Sequence, residues 1–241
     1  NQLTMEIMKK VAEKHGLICL LHEKPFAGVN GSGKHNNWSL ATDAGDNLFS
    51  PGSTPSQNAR FLLFLAAFIK GVDEYQELLR CSVAFAGNDH RLGAQEAPPA
   101  IISVFLGEEL EAIVDSIVND HDYTDRKRKS LRIGVDVLPA IPKDTTDRNR
   151  TSPVAFTGNK FEFRSLGSSQ SIAGPNTILN TIMAEELEQF AEELEGAKDF
   201  SSALHELIKR VFTEHQRILF SGNGYDESWI GEAARRGLAN L

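Results

Sequence analysis

A glycine-rich segment near the start of the chain, residues 24–39 with the sequence KPFAGVNGSGKHNNWS, constrains the fold more than any other part. It closely follows an apolar run at residues 17–21, which predicts a buried strand. Glycines after a strand indicate that the backbone turns sharply or approaches another group closely. His35 lies in this segment, and neutral imidazole is the commonest metal ligand among protein side chains. The segment therefore indicates a binding site at the end of a strand.

A phosphate-binding P-loop is one interpretation of this segment. Gly28, Gly33 and Lys34 have the spacing G-x-x-x-x-G-K, but His35 stands where a Ser or Thr should hold Mg²⁺. A helix should also follow, and residues 36–42 make a poor helix start. The match to a P-loop is therefore interpreted as accidental.

The composition is that of an ordinary globular protein with room for a sizeable core, since 41% of the 241 residues are apolar and 24% charged. A net charge of −8 argues against a nucleic-acid-binding surface. No run reaches the roughly 18 apolar residues of a membrane span. Cys19 and Cys81 lie in apolar runs, which predicts buried free thiols in a reducing compartment, the cytoplasm.

Periodicity and turn signals divide the chain into helices and strands in one large domain or two small ones. The predicted helices are residues 1–15, 57–71, 73–79, 108–119, 177–194, 201–217 and 227–236, with Asn176 as an N-cap. The predicted strands are residues 17–21, 38–42 and 100–106, and a hairpin of 154–157 with 161–165. Residues 87–99 are predicted to form a polar loop that is mobile without ligand.

The second strand of the predicted hairpin presents two opposite charges on one face. Glu162 and Arg164 are two residues apart, so their side chains point to the same side of the sheet, with Phe161 and Phe163 on the other. This arrangement suits either a functional site or a plain ion pair, and spacing alone leaves both open.

Three motifs, in chain order, resemble the glutamine synthetase family: residues 24–39, HRLGAQEAPP at 90–99 and NKFEFRS at 159–165. The last two are similar to the long type III branch. The resemblance covers essentially the whole chain, which is interpreted as an internal piece of a longer protein. It implies an α+β fold, an antiparallel sheet backed by helices, incomplete at its N-terminal side. Residues 1–241 would be a partial catalytic domain, with an insertion at about 107–147 and a C-terminal helical part at about 177–241.

The resemblance implies ATP-dependent ligation of ammonia to L-glutamate through a γ-glutamyl phosphate, with Mg²⁺ or Mn²⁺. His35 and Glu162 would bind the metal, and Asn30, Gly31 and Arg91 would contact glutamate. Arg150 would bind substrate and phosphate, and Arg164 would lie against the transferred phosphoryl group. Asn37, Ser39, Lys160 and Arg150 would face the nucleotide, and Glu96 would lie on a flap and accept a proton from ammonium.

The chain also departs from the family pattern. Asn37 stands where a second His is usual, and Ala155 where a second Arg is common. The family's first metal-binding carboxylates lie upstream of Lys24 and are absent, so we expect the 241-residue segment to be inactive by itself. The resemblance also implies a large ring-shaped homo-oligomer with shared sites. A non-catalytic relative that binds small molecules or assembles with partners is the alternative function.

Overall fold

The computed structural model describes residues 2–94, 97–123, 130–131, 141–142 and 151–241, and it has the predicted α+β fold. The helices are α1 (Gln2–Lys14), α2 (Ala59–Glu74), α3 (Gln76–Cys81), α4 (Ala86–Arg91), α5 (Glu108–Val118), α6 (Ala173–Glu195), α7 (Phe200–His215) and α8 (Glu227–Arg235). The strands are β1 (Asn36–Trp38), β2 (Val104–Phe105), β3 (Ser130–Leu131), β4 (Ile141–Pro142), β5 (Val154–Phe156) and β6 (Phe161–Phe163). No helix in the described ranges is long and apolar enough to cross a membrane.

Four of the strands form a mixed sheet in the order β1-β6-β5-β2. The first three are antiparallel as predicted, and β5–β6 is the predicted hairpin. Gly158 in its turn has a φ of +92°, a conformation that favours glycine. The prediction of a wholly antiparallel sheet is wrong at one edge, because β2 pairs parallel to β5. β3 and β4 form a separate antiparallel pair.

Helix α2 is the centre of the core. Its side chains are apolar nearly all round, so it is buried against both the sheet and the helices α6 and α7. Phe68 of α2 stacks on Phe161 of β6 with ring centroids 3.6 Å apart. Asn58 caps the helix, since its side chain accepts a hydrogen bond from Phe61 N at 3.1 Å. One face of the sheet is thus committed to the core, which leaves the other face for polar groups.

The N-terminal prediction is partly wrong. Residues 17–21 form no strand, and Leu17 and Ile18 are 66% and 86% exposed. An apolar run becomes a buried strand only where another element covers it, and no described part of the chain does so here. Helix α1 likewise has no buried residue, although its end is as predicted: Gly16 has a φ of +67°, and Leu17 N donates to Ala12 O.

The structure differs from the sequence predictions in other places as well, and β1 shares only Trp38 with the predicted strand 38–42. Only residues 104–105 of the predicted strand 100–106 are paired in β2, and part of the predicted loop 87–99 belongs to α4. Helix α6 begins at Ala173, and Asn176 is no N-cap because its Oδ1 accepts from Asn36 Nδ2 at 2.8 Å. Cys81 is exposed rather than buried, and both thiols are free.

Candidate active site

The candidate site lies on the face of the β1–β6 pair that points away from α2. Asn37 is opposite Glu162 in the antiparallel register, and Asn37 is exposed while its neighbours in β1 are buried. His35 immediately precedes β1 and turns to the same side, so its Nδ1 is 2.9 Å from Glu162 Oε1. The two side chains that are predicted to bind one metal are therefore in contact on one face of the sheet, although they are far apart in sequence.

Arg164 completes this group of side chains. Its Nε donates to Glu162 Oε2 at 2.8 Å, and Arg164 is only 6% exposed. Burial by itself would raise the pKa of Glu162, but the hydrogen bond and charge of Arg164, with His35 beside it, hold that pKa below its ordinary value. Glu162 is therefore an ionised carboxylate at neutral pH, with one oxygen on an arginine and the other on a histidine.

The donor chemistry fits a hard divalent cation. An imidazole nitrogen and a carboxylate oxygen are ligands that Mg²⁺ and Mn²⁺ accept, and the His35 side chain is 47% exposed, so a cation can reach it. Two donors do not complete a coordination sphere. Within the described residues, no group of three or more His, Cys, Asp or Glu side chains is arranged to hold a metal. Binding of a cation by His35 and Glu162 stays a prediction.

The glycine-rich segment lies directly on Arg91. A Cβ at Gly31 would be 2.4 Å from Arg91 Cγ, and one at Gly33 would be 2.6 Å from Arg91 Nη1. These two glycines are therefore required by close approach to a side chain, as the sequence indicated for the segment in general. No side chain larger than hydrogen fits at either position without movement.

Arg91 itself is more enclosed than a residue at the end of a polar loop would suggest. It is 2% exposed, Nε donates to Asn88 Oδ1 at 3.0 Å, and Nη2 donates to Leu166 O at 2.9 Å. Burial lowers the pKa of the guanidinium, and the charge of Glu23 opposes that shift. A contact between Arg91 and glutamate would therefore have to come from a side chain that is almost fully buried.

Sequence reasoning missed Glu23, which directly precedes the segment. It is 4% exposed, and its Oε1 accepts from the amide of Ser169 at 2.8 Å and also from the Ser169 hydroxyl. Burial raises the pKa of Glu23, but the two bonds from Ser169 and the charge of Arg91 outweigh it and lower the pKa overall. The only sequence feature that could have pointed to Glu23 is its position as a carboxylate directly before the glycine-rich segment.

The residues predicted to face the nucleotide surround the hairpin turn. Ser39 Oγ donates to Asn159 O at 3.0 Å, which ties the end of β1 to that turn, and Lys160 O accepts from Thr157 N within it. Asn37 is exposed on the face of Glu162. Asn30 is exposed on the glycine-rich segment. Glu96 and Arg150 lie outside the described residues, so their predicted roles remain predictions.

Family models match both ends of the chain. The model described as "Glutamine synthetase, catalytic domain" matches residues 1–88, and the "Glutamine synthetase C-terminal domain" matches residues 203–241.

Similar proteins extend this match to the full chain. It is 56% identical over 244 aligned residues to the type-3 glutamine synthetase of Dictyostelium discoideum, covering 100% of this chain and 33% of that protein. It is 49% identical to the glutamine synthetase of Bacteroides fragilis (strain YCH46) and 50% identical to that of Butyrivibrio fibrisolvens. Each of those alignments covers 100% of this chain and 34% of the relative, so the chain spans about a third of its relatives' length.

Proposed function

Because this chain belongs to the glutamine synthetase family, we propose that it carries part of the site at which a glutamate–ammonia ligase makes L-glutamine from L-glutamate, ammonia and ATP. The observation that carries the proposal is the contact of His35 with Glu162 on the polar face of the sheet, at the positions where the family resemblance requires a metal site. We further propose a cytoplasmic, ring-shaped homo-oligomer with sites shared between subunits.

The proposed reaction has two steps that balance without any further reactant. A γ-carboxylate oxygen of glutamate attacks the terminal phosphorus of ATP, the bond to ADP breaks, and γ-glutamyl phosphate forms. The ammonia nitrogen then attacks the acyl carbon, and phosphate leaves with the carbon–oxygen bond electrons. An ammonium proton goes to a protein base. Both steps depend mainly on positioning and on stabilising negative charge.

The residues on the polar face supply these needs in the proposal. His35 and Glu162 would hold a divalent cation, which when bound neutralises phosphate charge. Arg164, oriented by its bond to Glu162, would lie against the transferred phosphoryl group. Asn30 and Gly31 would contact glutamate. The remaining proposed roles are glutamate binding by Arg91, substrate and phosphate binding by Arg150, nucleotide contact by Asn37, Ser39 and Lys160, and proton acceptance by Glu96.

A P-loop NTPase has less support. In a P-loop, the lysine points to phosphates and a helix follows, but here Lys34 Nζ donates to Gln170 O at 2.6 Å, and the strand β1 follows. A non-catalytic relative remains the second candidate. It has less support because partly buried Glu162 and buried Arg164 are both retained as an ion pair at the proposed site, and a relative freed from catalysis could have lost either of them.

The test is glutamine formation by the full-length protein with ATP, Mg²⁺, glutamate and ammonium. We expect ATP-dependent glutamine formation that falls by about 10²-fold or more in Glu162→Gln, the scale for losing one charge-stabilising group. His35→Ala should fall as well, whereas exposed controls on α6 and α7, Glu192→Gln and His205→Ala, should match wild type. Wild-type protein that binds ATP but forms no glutamine would support the non-catalytic alternative. Nucleotide binding that survives His35→Ala but is lost in Lys34→Ala would support the P-loop.

A further inference from the structure

Beneath the glycine-rich segment lies a buried polar cluster of Glu23, Asn88 and Arg91. The three residues are 4%, 0% and 2% exposed; Asn88 and Arg91 lie on α4, and Glu23 directly precedes the glycine-rich segment. Asn88 Oδ1 accepts a hydrogen bond from Arg91 Nε at 3.0 Å, and the negative charge of Glu23 favours the positive charge of Arg91. Buried polar groups of this kind hold the structure around them in one arrangement only if all are satisfied.

Glu23 joins two segments of the candidate site through both its main chain and its side chain. Its carbonyl oxygen accepts from Ser32 N at 2.6 Å in the glycine-rich segment. Its carboxylate accepts from Ser169 N at 2.8 Å in the segment that follows Arg164. The two segments also bond each other directly, since Lys34 N donates to Leu166 O at 3.0 Å.

The packing around this carboxylate leaves little freedom. A Cβ at Gly167 would be 2.7 Å from Glu23 Cγ, and one at Gly87 would be 3.2 Å from Glu23 Oε2. Asn88 extends the same connection on the other side, because its Nδ2 donates to Ser165 O at 2.8 Å. Glu23 is thus closely packed against Gly87 and Gly167. Its hydrogen-bond partners, Ser32 and Ser169, lie in the segment that packs on Arg91 and in the segment that follows Arg164.

We propose that Glu23 is a positioning residue, whose carboxylate holds the segment around Ser169 against the glycine-rich segment so that Asn30, Gly31 and Arg91 keep the geometry of a glutamate-binding wall. This inference rests on the proposed ligation of glutamate. Glu23 is 4% exposed, so the inference assigns it no direct contact with substrate. It would affect the glutamate side of the site. The residues proposed to contact the nucleotide lie near Asn159 and are held by separate hydrogen bonds, such as that from Ser39.

The test compares Glu23→Ala with Glu23→Gln in the full-length protein. Alanine removes the acceptor for both Ser169 donors, whereas glutamine retains an oxygen that accepts them. We expect Glu23→Ala to raise the KM for glutamate about tenfold or more, the scale of one lost charge-assisted hydrogen bond, with the KM for ATP changed less than about twofold. Glu23→Gln should restore the KM for glutamate to within about threefold of wild type, because the acceptor geometry is retained.

Hydrogen exchange provides a readout that does not depend on activity. In Glu23→Ala, amides of residues 31–34 and 166–170 should exchange faster, and Glu23→Gln should restore their protection. Glu186→Gln is the matched control. Glu186 is a carboxylate on α6 with 0% exposure, and it forms its ion pair with Lys70 of α2 and not with either of these segments. It should leave both the exchange of these segments and the KM for glutamate unchanged.

The outcomes separate this inference from the proposed function. Wild-type protein without glutamine formation would refute the proposed function, and the exchange data would then decide the role of Glu23. Unchanged exchange in Glu23→Ala would refute the positioning role, whatever the activity. The inference would also be overturned if both Glu23 variants showed a lower kcat, higher KM values for glutamate and ATP, and lower thermal stability. That pattern would indicate a general loss of folding.

Discussion

Substitution of Gly33 by alanine should disturb the contact between the glycine-rich segment and Arg91. The added Cβ would lie 2.6 Å from Arg91 Nη1, whereas ordinary contacts begin at 3.4 Å, so the two groups must separate by roughly 0.8 Å. Overpacking of this size costs about 1–3 kcal/mol of unfolding free energy. Because misplacement of about 1 Å in a site can cost about 10²-fold, we expect kcat/KM for glutamate to fall about 10- to 100-fold.

The assay is steady-state glutamine formation by the full-length protein, with thermal unfolding measured on the same samples. Gly196→Ala is the matched control, because Gly196 at the end of α6 has a φ of −91° and no atom within 4 Å of an added Cβ. It should leave kcat/KM unchanged. Gly33→Ala with wild-type kcat/KM and unchanged unfolding would refute the reasoning, since it would mean that Arg91 does not press on this segment.

Three further changes test the packing and electrostatics of the fold. Gly71→Ala would place a Cβ 2.3 Å from Ile182 Cγ2, so it should lower the unfolding free energy by about 1–2 kcal/mol in denaturant titrations. Gly231→Ala has open space around it in α8 and should raise the unfolding free energy by about 0.5–1 kcal/mol, because alanine favours a helix more than glycine does. Equal effects would contradict the close α2–α6 packing. Asn58→Ala removes the cap of α2 and should cost about 1 kcal/mol in the same titrations; no loss would contradict the cap. Since the folded state lowers the pKa of Glu162 below 4.5, its stabilisation is present above that pH and lost as the pH falls through the folded pKa. The stability difference between wild type and Glu162→Gln should therefore shrink in acid unfolding, and a difference that grows towards low pH would contradict this sign.

The sequence predicted the elements whose pattern depends on local chemistry. The helices α2, α5, α7 and α8 and the β5–β6 hairpin are confirmed to within a few residues, because their apolar periodicity and turn residues act over short distances. The start of α6 was predicted wrongly because Pro175 is tolerated in a first turn, and Asn176 bonds Asn36 instead of capping the helix. Local signals could not reveal that long-range bond.

The candidate site was predictable to a similar degree. The motifs paired His35 with Glu162 as predicted metal ligands, and the two side chains are in contact in the structure, while binding of a metal stays a prediction. The buried role of Arg91 and the presence of Glu23 were not predictable, because both depend on close packing with residues far along the chain, such as the bond of Glu23 to Ser169. The prediction that residues 17–21 are buried was wrong for the same reason. The sequence of one segment does not show whether another element packs over it.

Transfer of oxygen from glutamate to phosphate tests the central claim most directly. The full-length protein is supplied with L-glutamate labelled with ¹⁸O in the γ-carboxylate, together with ATP, Mg²⁺ and ammonium, and the released phosphate is examined by mass spectrometry. If γ-glutamyl phosphate forms in the site built around His35, Glu162 and Arg164, one ¹⁸O atom should appear in phosphate for each glutamine made. Phosphate released without ¹⁸O would contradict the account, since it would mean that ATP is hydrolysed by water and not used to activate glutamate.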